Sequence, residues 1–152
     1  MKFTPTNLNI FLFFKLPAAF LCGVRVFSID DSKCTTTVTY RWINQNPFNS
    51  MYFAVQAMAA ELATGVLVMK QIKKSSRPIS MLVAHNKSTF TKKAIGKITF
   101  TCSDNSLIEE AIAQSISTGE GQTCWMKSIG VDENGTQVAE MDFEWSVKVK
   151  SN

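Results

Sequence analysis

The chain predicts an α+β fold, an antiparallel sheet wrapped around one long central apolar helix, and three observations lead there. The segment Asn46-Pro47-Phe48-Asn49-Ser50 is followed by residues 51–65, which have helical composition and one carboxylate, Glu61. Met51, Val55, Met58 and Leu62 fall on one stripe of that helix, and Phe53, Ala57, Ala60 and Thr64 on another. Both stripes are apolar, so the helix needs covering all round. The segments on either side read mostly as β-strands. Finally, 152 residues at 45% hydrophobic content and a mean hydropathy of +0.03 suffice for one sizeable core and are too few for two. A sheet curled around the helix buries it with the least chain. The expected unit is therefore a single domain over 1–152.

Each element has its own local reason. Residues 1–23 form an N-terminal helical segment. Residues 24–29 alternate and stop at the turn Asp30-Asp31-Ser32-Lys33, after which 34–42 are β-branched and alternating, giving a hairpin. The central helix spans 50–65: Asn49 and Ser50 after Pro47 can cap it, Ala57 to Ala63 are strong helix formers, and Gly65 offers a stop. Strands follow at 80–90 and 94–102, with the break near Lys92-Lys93 or Gly96. Residues 106–117 place Leu107, Ile108, Ala111, Ile112 and Ser115 at helical spacing, capped by Ser103, Asp104 or Asn105. Two long strands, 122–131 and 137–149, are joined by Asp132-Glu133-Asn134-Gly135, where Asn-Gly is a strong hairpin signal. The last strand alternates Met141, Phe143, Trp145 and Val147 against Asp142, Glu144, Ser146 and Lys148, so one of its faces is buried.

The net charge of +4 is spread along the chain, densest at 70–74, Lys92-Lys93 and 148–150. Such runs are read as solvated faces, with attraction to a phosphorylated ligand the functional alternative; no aromatic interleaving points to nucleic acid. The four cysteines, Cys22, Cys34, Cys102 and Cys124, form no C-x-x-C pair. With a single histidine they give no metal template, and they read as free thiols in a reducing compartment. The apolar start resembles a signal sequence, but Lys15 and Pro17 interrupt it and no cleavage site precedes Cys22. With no uninterrupted apolar run of membrane-spanning length, the expectation is a cytoplasmic protein with no membrane partner, in which the sequons at Asn86 and Asn134 are accidental.

Glu61 is the residue to explain, because an ionisable group on an all-apolar helix is costly unless it is paired or used. It is either a catalytic base with its pKa raised by burial, or a structural carboxyl bonded to Asn46, Gln56 or a partner chain. The helix start near Phe53 would offer free N–H donors. Yet Phe53 and Glu61 are eight residues apart, roughly 12 Å at 1.5 Å per residue. They cannot serve one carbonyl within one subunit, so a joint site would lie between two chains. Asn46 would anchor its loop or touch a ligand. His85 reads as a satisfied or exposed strand residue. Phe11, Phe13, Phe14 and Phe20 read as core or dimer contact, with an acyl tunnel as the lesser alternative.

Element order and central segment together resemble the hotdog fold, specifically the phenylacetic-acid-degradation and 4-hydroxybenzoyl-CoA type thioesterases. The resemblance is carried by an Asn, a short loop, the helix start and an acid at matching distance: Asn46, Tyr52-Phe53-Ala54 and Glu61. The family's loop ends in His-Gly-Gly, which Tyr52-Phe53-Ala54 replaces. The stretch 88–97 also looks like the family's strand motif. The nearest likeness is to a branch of unassigned function that keeps Asn-Pro-Phe and Ala-Glu-Leu-Ala-x-Gly. The resemblance implies acyl-CoA thioester hydrolysis in a homodimer, possibly a tetramer. It implies Glu61 as base or nucleophile, backbone N–H groups of Phe53 and Ala54 on the oxyanion, and Asn46, Ser50 and Tyr52 around the thioester. Lys92 and Lys93 would meet the phosphates of coenzyme A, which enters only as part of the substrate; no metal is implied. The alternative is a hotdog homodimer that binds an acyl or other hydrophobic ligand without turning it over.

Overall fold

The computed structural model describes residues 2–150; Met1 and residues 151–152, the outer ends of the expected domain, lie outside the described residues. The N-terminal segment is helical but broken by Pro17 into α1 (Pro5–Lys15) and α2 (Pro17–Leu21). The hairpin β1 (Arg25–Ile29) and β2 (Cys34–Thr39) follows, then a turn of 3-10 helix at Trp42–Asn44. The long helix α3 (Phe53–Ser75) precedes β3 (Ile79–Phe90) and β4 (Lys97–Cys102). Helix α4 (Asn105–Thr118), β5 (Gln122–Val131) and β6 (Gln137–Val149) complete the chain. The strands form one antiparallel sheet in the order β1-β2-β4-β5-β6-β3. Wrapped around α3, this is the hotdog fold.

The core lies between α3 and the concave face of the sheet. Val55, Ala59, Ala63, Val66 and Leu67 of α3 are buried with Val38, Ile98, Phe100, Met141, Phe143, Trp145 and Val147 from the strands. The alternation read along β6 is its burial pattern. Gly130 on β5 is needed where it stands, because a Cβ there would sit 2.4 Å from the ring of Phe100. By length and composition α3 could cross a membrane, and here it is the core helix, most of it buried.

The central helix differs from its expected limits at both ends. Gly65 does not stop it: the helix runs ten residues further, to Ser75, and ends where Ser76 takes a left-handed conformation (φ 54°). Gly65 is a packing residue, since a Cβ on it would lie 3.2 Å from the Trp145 ring. At the other end, Met51 N–H donates to the Ala94 carbonyl and Tyr52 N–H to the Asn44 carbonyl, which holds this stretch extended and delays the helix to Phe53. Asn49 and Ser50 therefore do not cap it; Tyr52 is the N-cap and contributes no side-chain bond. The covering of the helix is also incomplete, with Phe53 55% exposed. Of the other boundaries, β2 ends at Thr39 rather than 42, and β4 begins at Lys97, after Gly96 turns with a left-handed φ of 72°.

Strand β3 is a sheet edge paired only with β6. From residue 84 to 90 it is exposed on both faces, and its ladder shifts register between Val83 and His85.

Candidate active site

Asn46 organises the loop ahead of α3. Its Oδ1 accepts from the Phe48 N–H (2.9 Å), the Ser50 N–H (3.3 Å) and the Ser50 hydroxyl (3.2 Å), while its Nδ2 donates to the Met51 carbonyl (3.3 Å). Asn49 makes the tight turn in the left-handed region, at φ 58°; Asn tolerates that conformation better than most side chains. The side chain thus does the anchoring work that its position suggested.

The geometry leaves the first N–H groups of α3 free. Among the described residues no hydrogen bond is donated by the N–H of Phe53 or Ala54, the usual orphan donors of an uncapped helix start. Phe53 lines a cavity of about 500 Å³ whose walls also include Asn46, Ser50, Tyr52, Lys92 and Lys93. Six of the eight residues singled out from sequence are therefore together. Ala54 stands next to Phe53 in the first turn, and Glu61 lies elsewhere. The rings of Tyr52 and Phe53 meet edge to face at 5.1 Å, and Phe53 meets Phe90 in the same way at 6.2 Å, so the Phe53 ring lies along an aromatic wall.

The cavity also contains residues that sequence reasoning did not place in a site. Phe90 and Thr91 arrive from the end of β3. Gln56 is buried; its Nε2 donates to the Met51 carbonyl (3.3 Å), and its Oε1 has no partner among the described residues. The sequence offers it as a partner for Glu61; its place on α3, one turn after Tyr52, is the signal for this cavity. The lysines are less free than their sequence implied. Lys92 pairs with Asp132 at 2.7 Å and Lys93 donates to the Phe48 carbonyl at 3.0 Å. The Lys92 ammonium, with the Thr136 N–H, holds the Asp132 carboxyl below its ordinary range.

Glu61 occupies a second cavity, of about 220 Å³, with Phe11, Leu16, Leu62, Met69 and Met81 around it and Lys15 at its edge. Neither Asn46 nor Gln56, two of the three partners the structural reading offered, bonds it; both donate to the Met51 carbonyl. Among the described residues nothing donates a hydrogen bond to this carboxylate, and desolvation by burial raises its pKa from 4.5 to about 7. Its Oε1 rests over Gly65, 3.2 Å from where a Cβ would stand. One turn on, the Thr64 hydroxyl accepts from Trp145 Nε1 (2.9 Å) and donates to the Glu61 carbonyl (2.8 Å). His85 pairs with Glu144 across the β3–β6 ladder and lines neither cavity.

Solved structures share this architecture across nearly the whole chain. A probable thioesterase of Pseudomonas aeruginosa superposes with a TM-score of 0.79 at 21% identity, covering 96% of this chain and 97% of its own. A thioesterase of Haemophilus influenzae gives 0.70 at 14% identity over 98% and 93%. A variant of a second P. aeruginosa thioesterase gives 0.74 at 13% over 99% and 97%. At these identities the likeness establishes the hotdog fold. No functionally curated protein matches. The sequence profile that does match covers residues 7–147, from within α1 to near the end of β6 and so both cavities, and by that match the chain belongs to the family described as Domain of unknown function (DUF4442).

Proposed function

We propose that this protein is an acyl-CoA thioesterase whose site is assembled between two copies of the chain. The observation that carries the reading is a division of labour on one helix. Two unpartnered N–H groups stand at the start of α3, and a half-buried carboxylic acid with a pKa of about 7 stands eight residues on. The N–H groups of Phe53 and Ala54 would hold the developing oxyanion, and Glu61 of the other chain would activate water or attack the carbonyl. A pKa near the operating pH suits a general base. Asn46, Ser50 and Tyr52 shape the cavity that receives the thioester, and Lys92 and Lys93 stand at its mouth for the phosphates of coenzyme A. The reaction draws on no metal or redox cofactor, and coenzyme A takes part only as substrate.

The dimer follows from the same geometry and from β3. A twelve-residue edge strand, exposed on both faces over its second half and carrying a 67% exposed Leu82, is a natural place for a second copy to extend the sheet. The free thiols of Cys34 and Cys102, opposite one another across β2 and β4, suit a reducing, cytoplasmic setting. The solved likenesses named as thioesterases lend the reading further weight. The aromatic pair Tyr52 and Phe53, where the thioesterases that the sequence resembles have His-Gly-Gly, favours one rival, a homodimer that holds an acyl ligand without hydrolysing it.

The test uses Phe53→Pro. Tyr52 already has φ −61° and ψ 134°, the conformation a residue before proline prefers, and proline is favoured at the first helical position. The substitution therefore deletes one oxyanion donor while keeping the helix, with Phe53→Ala controlling for the ring. Thiol release from acyl-CoA is expected to fall roughly 10²-fold to 10³-fold in Phe53→Pro, and similarly in Glu61→Gln. Mixed dimers of the two variants are expected to regain activity, because one of their two sites is intact. Absence of turnover by the wild type on short, long and aromatic acyl-CoA esters favours the binding module; turnover without regain in mixed dimers removes the shared site.

A further inference from the structure

The Glu61 cavity does not end at Glu61. It shares Met69 and Met81 with a neighbouring apolar cavity of about 330 Å³ that continues to Phe3, Ile72 and Ile79. Together they make a trough along the strip of α3 that carries Glu61, Gly65, Met69 and Lys73, walled by Phe11 and Leu16 beside Glu61 and by Phe3 and the β3 residues Ile79 and Met81 further along. These four lie at intervals of four on the helix, so they face one way. From Glu61 to Lys73 the trough follows twelve residues of helix, roughly 18 Å at 1.5 Å per residue. Apart from Lys15 beside Glu61 and Lys73 at the far end, its walls are aromatic, aliphatic and thioether, and Glu61 is the one carboxylate lining it among the described residues. The two methionines that join its halves are the side chains best able to adapt to a flexible occupant.

We infer that this trough seats a long unbranched aliphatic acyl chain, with the carbonyl end at Glu61 and the methyl end among Phe3, Ile72 and Ile79. The head group rests on the thioesterase reading; the chain's character rests on the trough alone. A largely apolar trough of this length favours a straight chain over a compact aromatic acyl group, which would fill only the half beside Glu61. Each methylene buried along it tightens binding about fourfold, so preference rises steeply with chain length until the trough is full. Gly65 belongs to the device, since a side chain there would narrow the passage where Glu61 meets it.

The experiment has a binding arm and a turnover arm. In the first, butyrate, dodecanoate and hexadecanoate compete with a fluorescent fatty acid for the wild-type protein, and dodecanoate and hexadecanoate are expected to displace it at far lower concentration than butyrate. In the second, Ile72→Trp fills the distal half, and the ratio of hexadecanoyl-CoA to butyryl-CoA turnover is expected to fall by about tenfold or more. The butyryl rate measured on the same sample reports that the variant has folded. Tight dodecanoate binding without hydrolysis of any ester supports the trough while removing the thioesterase reading. Hydrolysis of short esters with no tighter binding of the longer acids overturns the trough and leaves the thioesterase reading in place, as does an Ile72→Trp ratio equal to that of the wild type.

Discussion

Replacing Glu61 by Gln separates the cost of burying a carboxylate from every other property of the site. Burial raises the acid from 4.5 to about 7, and each pKa unit is worth about 1.4 kcal/mol, so ionising Glu61 in the folded protein costs about 3 kcal/mol. The folded pKa is the higher one, so the native state holds the proton more tightly than the unfolded state. The linked stability is complete below about pH 4.5, is lost as pH rises toward 7, and is absent above that. Glutamine keeps the shape and cannot ionise. Urea unfolding of wild type and Glu61→Gln between pH 4 and 8.5, taken as the difference in free energy at each pH, should therefore change by about 3 kcal/mol in favour of the variant, nearly all of it between pH 4.5 and 7. A difference that is flat with pH would refute the reasoning, since the carboxylate would then be as well solvated or paired in the fold as in the unfolded chain. The same ionisation should appear in wild-type thioester hydrolysis as a rise in kcat/KM with an apparent pKa near 7.

Three further outcomes follow from individual contacts. Gly65→Ala should lose about 1 kcal/mol in thermal unfolding, although alanine is about 1 kcal/mol the better helix former, because its methyl meets the Glu61 carboxylate and the Trp145 ring at 3.2 Å. Thr64→Val should cost about 1–3 kcal/mol by denaturant titration, since it strands the Trp145 Nε1–H that Thr64 now accepts. Lys92→Ala should change stability by less than about 1 kcal/mol, its exposed pair with Asp132 being weak. The same variant should raise KM for an acyl-CoA ester but not for an acyl N-acetylcysteamine thioester, which has no phosphates; equal KM changes for both would dissociate Lys92 from phosphate recognition.

Features that repeat locally are legible along the chain. The two-residue alternation of Met141, Phe143, Trp145 and Val147 fixes the buried face of β6, and Asn134-Gly135 fixes the hairpin before it, because both depend on backbone geometry that neighbouring residues settle alone. The apolar stripes of residues 51–65 dictate a helix largely enclosed by sheet, and Glu61 stands out against them without reference to any other element. The tertiary structure decided everything that depends on distant residues. Gly65 reads as a helix stop until Trp145, eighty residues later in sequence, is seen to need the space of its missing side chain. Helix α3 starts at Phe53 because Ala94 and Asn44 draw the preceding residues into extended hydrogen bonds, and that delay frees the N–H groups on which the proposed chemistry rests. Lys92 reads as solvated or phosphate-seeking until Asp132 arrives beside it. The pKa of Glu61 and the trough it opens into come from side chains of α1 and β3 that no local pattern connects to α3. Desolvation and packing are set by what the whole fold brings within a few ångströms, and a one-dimensional pattern carries no record of it.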